Sequence, residues 1–112
     1  MPRKGTLRAW QDSVPVFSAL GDETRLMVLA RLCEQGPLSI KRLAEGSLVS
    51  RQAITKHLRV LSDAGLVRGA RDGRENVWKL QPKGLVEARR MLDVISSEWD
   101  DALNRLRAFV EP

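Results

Sequence analysis

A mainly helical domain carrying one small β-hairpin is what this sequence predicts, on three observations. Apolar residues recur at three-four spacing through most of the chain, the mark of amphipathic helices. One Asp-Gly dipeptide, Asp72-Gly73, stands between two strand-like runs. Punctuating residues at Gly36-Pro37, Gly46 and Gly65 cut the helical segments at short intervals.

Residues 1–12, MPRKGTLRAWQD, read as a basic N-terminal arm. Leu7, Trp10, Val14 and Phe17 keep helical spacing, but Pro15 interrupts it. Pro15 is therefore expected to open a helix to Leu20, with Asp12 or Ser13 as its cap. Asp22 looks like the N-cap of a second helix reaching Gln35. Its inward face is expected to be Leu26, Leu29, Ala30 and Cys33, which makes Cys33 a small buried hydrophobe. Ser39 caps a short third helix to about Glu45, Gly46 begins a turn, and Ser50 caps a fourth helix to about Ala64. Residues 66–71 and 75–80 form the hairpin, with Asp72 and Gly73 as the two positive-φ residues of a type I′ turn. Pro82 starts a last helix that runs to about residue 110, its first turn slightly weakened by Gly84. Residues 13–112 thus make one domain of five helices and a hairpin, with no internal repeat.

The chain has 112 residues, enough for one domain and a modest core, and few enough that dimerisation would help it bury apolar surface. Lys and Arg number 19 against 14 Asp and Glu, a formal charge of +5, which favours polyanionic partners such as nucleic acid. One cysteine excludes a disulfide within the chain. No apolar run approaches the ~18 residues that would span a bilayer, and the first residues lack the continuous apolar stretch of a secretory signal. A soluble cytoplasmic protein with no membrane association is expected.

The segment from Ser39 to Leu66 has two faces. Gln52, Thr55, Lys56 and Arg59 follow the spacing of one helical face; Ile54, Leu58 and Leu61 follow the same spacing about half a turn away. A short support helix, a turn from Gly46 to Val49 and a polar-faced second helix are the parts of a helix-turn-helix. Its reading helix would start at Ser50, where free amides and the helix dipole favour a phosphate. Gln52 can make a bidentate contact to adenine; Arg51, Lys56 and Arg59 can reach guanine or phosphate; Thr55 can touch a phosphate or a thymine methyl. Arg71 and Arg74 flank the hairpin tip and suit a wing lying on the backbone or in the minor groove. A polar stripe alone is often only a solvated face, and arginines at a hairpin tip often serve solubility. The order of the parts in a basic chain favours the DNA reading. Leu85, Ala88, Leu92, Ile95, Trp99, Ala102, Leu106 and Phe109 keep strict spacing along the last helix, a seam that wants a partner helix.

The runs VFSALGDETRLMVLARL, LAEGSLVSRQAITKHLRVLSDAGLV and RDGRENVWKL resemble the ArsR family of bacterial winged-helix transcriptional repressors, in register over residues 16–80. The resemblance implies a homodimer that binds an imperfect palindromic operator on double-stranded DNA and blocks transcription. It also implies a dimer interface built from the first and last helices, which would enlist Phe17 beside the seam. Metal-sensing members carry a Cys-x-Cys type motif on the third helix or Asp, His and Glu ligands on the last. Here RLAEGSLV has no Cys, and the last helix has carboxylates but no His, a poor zinc set. No metal and no cofactor are expected. Thiol-sensing members use a cysteine pair, and this chain has one Cys. The resemblance is to members that repress their own operon, so an inducer is unassigned or absent.

His57, the single histidine, borders Ile54 and Leu61 at the edge of the buried face. Its ring either hydrogen-bonds nearby backbone or reaches a phosphate. No nucleophile motif, Gly-rich phosphate loop or ligand cluster points to catalysis, so no enzyme is expected. A winged-helix module that binds only other proteins is the competing reading. It would show no operator preference, whereas a repressor should lose affinity steeply as salt rises.

Overall fold

The computed structural model describes residues 4–110; the first three residues of the basic arm lie outside them. Among the described residues the order is α1 (Lys4–Leu20), α2 (Glu23–Gln35), α3 (Ile40–Ala44), α4 (Arg51–Asp63), β1 (Val67–Asp72), β2 (Glu75–Leu80) and α5 (Pro82–Val110). The five helices and the hairpin are those expected. No helix among the described residues is long and apolar enough to cross a membrane.

One core joins all of these elements. Val16 and Ala19 of α1, Val28 and Leu32 of α2, Leu43 of α3, Ile54, Leu58 and Leu61 of α4, Val67 of β1 and Ala88 of α5 are buried together. The caps expected for α2, α3 and α4 are in place. Asp22 accepts from the Arg25 amide at 2.9 Å, Ser39 from the Arg42 amide at 3.2 Å and Ser50 from the Ala53 amide at 3.1 Å. Each cap satisfies an amide that has no partner within its own helix, an effect of about 1 kcal/mol.

Two helical expectations are corrected. The first helix does not open at Pro15; it starts by Lys4 and carries Pro15 inside it, so Asp12 and Ser13 are interior residues and not caps. Proline there removes one i→i−4 hydrogen bond, the one Gln11 would accept. Pro15 and Gln11 are both exposed, so the break falls on the outer side while Ser13, Val16 and Ala19 pack inward. The inward face of α2 is also rotated. Val28 and Leu32 are buried, Leu29 packs against the core, and Leu26, Ala30 and Cys33 are exposed. The physical reason is Arg31. It flanks the buried stripe, and its guanidinium donates to the carbonyls of Leu43 at 2.7 Å and Arg42 at 2.9 Å. Those carbonyls end α3, where helix carbonyls lack partners. Arg31 therefore ties α2 to α3 and is compatible with the packed side.

The hairpin is shifted by one residue from expectation. Asp72 pairs with Glu75, so Gly73 and Arg74 are the two loop residues. Gly73 has φ of 63° and Arg74 has no positive φ. A glycine alone at the first central position is the II′ pattern and not I′. Leu38 adds a short bridge on the other side of β2: its amide donates to the Trp78 carbonyl at 3.1 Å and its carbonyl accepts from the Trp78 amide at 2.8 Å. The wing is thus fastened to the loop that leads into α3.

Gly84 does more than weaken a turn. It is buried, its amide donates to the Gly65 carbonyl at 2.8 Å, and an added Cβ would lie 2.5 Å from the Ala64 carbonyl oxygen. Residue 84 is where α5 crosses the C-terminal end of α4 at backbone contact distance. Beyond this crossing α5 packs along α1 through Ala88 and Met91, both buried. The helix has 29 residues, about 43 Å at 1.5 Å per residue, and the molecule is 66 Å long. All described side chains from Ser96 to Val110 are exposed.

Candidate nucleic-acid interface

The helix-turn-helix is built from α3, a turn and α4. Arg42 on α3 pairs with Glu45 at 3.7 Å across one helical turn at the surface. Gly46, at φ of 71°, starts the turn, and Ser47 Oγ accepts from the Val49 amide at 3.0 Å. Leu43 and Ile54 are wholly buried and clamp the two helices together. The packing of α4 therefore sets which side faces out. Ile54, Leu58 and Leu61 are fully inward, while Arg51, Gln52, Lys56 and Arg59 are exposed.

The candidate residues of α4 divide by what their polar atoms already do. Ser50 caps the helix as acceptor, which leaves its hydroxyl proton available. Thr55 donates its hydroxyl proton to the Arg51 carbonyl at 2.8 Å, so only its methyl and oxygen lone pairs are left for a ligand. Arg51, Gln52, Lys56 and Arg59 stand exposed on α4, and Arg71 and Arg74 stand exposed at the wing. The wing arginines lie at the far end of a strand of 6 residues, about 20 Å from its start beside α4.

His57 is half-buried, and its partners are side chains rather than the backbone. Its Nδ1 lies 3.4 Å from an Arg25 NH group and 3.8 Å from Asp22 Oδ2. Arg25 uses the rest of its fork on the end of α1, donating from Nε to the Ala19 carbonyl at 2.7 Å and from the other NH group to the Ser18 carbonyl at 3.1 Å. One guanidinium therefore joins α1, α2 and α4. The amide of Arg25 bonds the Asp22 carboxylate, and the positive charges of Arg25 and His57 add to that effect, so the Asp22 pKa is lowered below its ordinary value of 3.8. A lowered carboxylate pKa stabilises the fold above the ordinary value, and the contribution is lost as pH falls through the lowered one. Asp22→Asn keeps a good cap but removes the charge. Urea midpoints of the variant between pH 5 and 2 should fall less steeply than those of the parent.

The structure also exposes residues that the spacing does not single out. Leu48, in the turn before α4, is 107% exposed, and Arg68 and Asn76 are exposed on the hairpin. Leu48 carried no periodic signal because it lies in a turn; Asn76 needed the strand register to be placed.

The seam residues are not all equivalent. Ala88 is buried in the chain's own core, Phe17 packs partly against that core, and Ile95 lines a cleft with Trp10. Leu85, Leu92, Trp99, Ala102, Leu106 and Phe109 are exposed; Trp99 reaches 66% and Phe109 87%. Among the described residues no group of three or more His, Cys, Asp or Glu could hold a metal ion.

Comparison with known proteins bears on this geometry. Residues 20–70 match the model of a helix-turn-helix domain family. The chain is 39% identical over 106 residues to the HTH-type transcriptional regulator Rv2034 of Mycobacterium tuberculosis, covering 84% of this chain and 92% of that one. It is 30% identical over 97 residues to the arsenical resistance operon repressor of Escherichia coli, covering 87% and 80%. Among solved structures, an ArsR-like transcriptional regulator from Rhodococcus sp. RHA1 superposes with a TM-score of 0.82 at 36% identity, covering 94% of this chain and 95% of that one. These relatives are transcriptional regulators, and one of them is an operon repressor.

Proposed function

The chain belongs to the ArsR family of winged helix-turn-helix transcriptional regulators, and from that premise we propose that it acts in the cytoplasm as a homodimeric repressor on a palindromic operator. The observation that carries the reading is α4. Three of its side chains are wholly buried, and the opposite side presents Arg51, Gln52, Lys56 and Arg59 to the outside. An anchored helix with a donor-rich outer face is what readout of major-groove edges requires. The wing fits the same pose. Half a turn of duplex is about 17 Å, so a strand of this length carries Arg71 and Arg74 from a major groove to the adjacent minor groove.

The exposed apolar row of α5 supports the dimer. Leu85, Leu92, Trp99 and Leu106 recur every seven residues on a helix whose described side chains from Ser96 onward are all exposed. Repression is taken from the relatives and would work by occupying promoter DNA.

The test is binding to duplexes selected from a random pool, read across a salt series. The affinity should fall by roughly 0.9 log unit per log of salt for each phosphate neutralised. Gln52→Ala and Arg51→Ala should each relax preference at one base pair per half-site, weakening the cognate site by about 1–3 kcal/mol. A protein that enriches no duplex, or two variants with unchanged base preference, would overturn the proposal.

A further inference from the structure

We infer that Asn76 is a second base reader, working from the wing: its carboxamide recognises an A·T pair from the minor-groove side. The inference rests on the operator binding proposed above and adds a residue and a base pair to it. Arg71 and Asn76 are directly opposed across the hairpin, so both side chains leave the same face. The next pair toward the tip is Asp72 with Glu75, which leaves the opposite face. The tip of the wing therefore has one face with a guanidinium and a carboxamide and another with two carboxylates. Like charges set opposite each other weaken a ladder, and two carboxylates turned toward a polyanion would be repelled. The Arg71 and Asn76 face is the one that can approach DNA.

Strand formation gives no reason for an asparagine at this place. Asn is depleted in strands. Here it is exposed, and its carboxamide has no hydrogen-bond partner among the described residues. Behind it the wing is firmly held, by Trp78 two residues on and its bridge to Leu38. A carboxamide on a fixed support has the geometry for readout. The minor groove offers adenine N3 and thymine O2 as acceptors at A·T, and adds the guanine N2 amino donor at G·C. An Arg favours the narrow, negative groove of A·T-rich sequence. With Arg71 beside it, the Asn76 amide donates to N3 or O2, and the guanine amino group would stand in its way.

Inosine separates the grooves. An I·C pair lacks the guanine amino group, so it matches A·T in the minor groove and G·C in the major groove. The full chain would be used to select an operator, and each pair outside the reach of α4 would be replaced by A·T, G·C or I·C in competition binding. At one pair per half-site, A·T and I·C should bind alike and G·C about five- to tenfold more weakly. Asn76→Ala should bind all three alike there while keeping base preference under α4, and Arg71→Ala should weaken all three together with a shallower salt slope. I·C behaving like G·C, or Asn76→Ala keeping the discrimination, overturns the inference. If no duplex is enriched, operator binding itself fails. If an operator is enriched and every outlying pair is exchangeable, only the role of Asn76 fails.

Discussion

Replacing Leu92 and Leu106 together by glutamate should yield a folded single subunit that releases a two-half-site operator. Both side chains are at least half exposed and outside the core, so stability should stay within about 0.5 kcal/mol of the parent per substitution. Four carboxylates brought into one apolar seam would be desolvated without partners, which a dimer cannot tolerate. Linking two half-site contacts through a dimer is worth about 10²–10⁴ in affinity, and that factor should vanish. Binding to an isolated half-site should be unchanged. Sedimentation with a parallel titration of one-site and two-site duplexes measures both. A variant that stays dimeric, or a monomer that still grips the full operator, would place the interface elsewhere. Ile95 is a worse target despite its place in the seam. It packs beside Trp10 of its own chain, so a charge there would confuse unfolding with dissociation.

Gly84→Ala should destabilise the protein, against the propensity rule. Alanine is favoured over glycine within a helix by about 1 kcal/mol. Here the new Cβ would meet the Ala64 carbonyl oxygen at 2.5 Å and Gly65 backbone atoms at 2.9 Å. Those are main-chain atoms and cannot swing aside. Relief requires α5 to lift off the end of α4, which strains the 2.8 Å bond from the Gly84 amide to Gly65. Overpacking at such contacts costs about 1–3 kcal/mol, which outweighs the helical gain. Chemical denaturation should show a lower midpoint with an unchanged slope. A rise in stability would mean that the crossing has slack.

Local chemistry was legible in the sequence wherever a residue's role depends on near neighbours. Asp22, Ser39 and Ser50 announced three helix starts, and the two faces of α4 followed from spacing alone. What failed depended on distant partners. The packed side of α2 includes Arg31, and nothing near it in the sequence shows that the end of α3 offers it two carbonyls. Cys33 keeps apolar spacing with Leu26, Leu29 and Ala30, yet it is exposed because α2 packs through Val28 and Leu32. Pro15 marks a helix start in the sequence but lies inside α1 in the fold, because a missing bond on an outer face is tolerated. Ala88 kept the seam's spacing, yet the α1–α5 packing draws it into the core. Gly84 read as a weakness because its reason is a contact with residues 64 and 65 on another helix end. The exposed donor row of α4 follows from spacing alone, while the place of Asn76 opposite Arg71 became visible only with the hairpin register.

The forked side chain at position 25 has a wider meaning. It grips two carbonyls at the end of α1 and also touches His57, a grip that needs the planar five-donor geometry of arginine and that lysine cannot copy. The outer face of the probe and the shaft behind it thus share a single rivet that lies outside the exposed rows of α4 and α5. A fault in that joint would leave both working surfaces chemically intact and still misalign one against the other. Silent-looking interior changes at this spot would then disable the regulator as surely as damage to its grip.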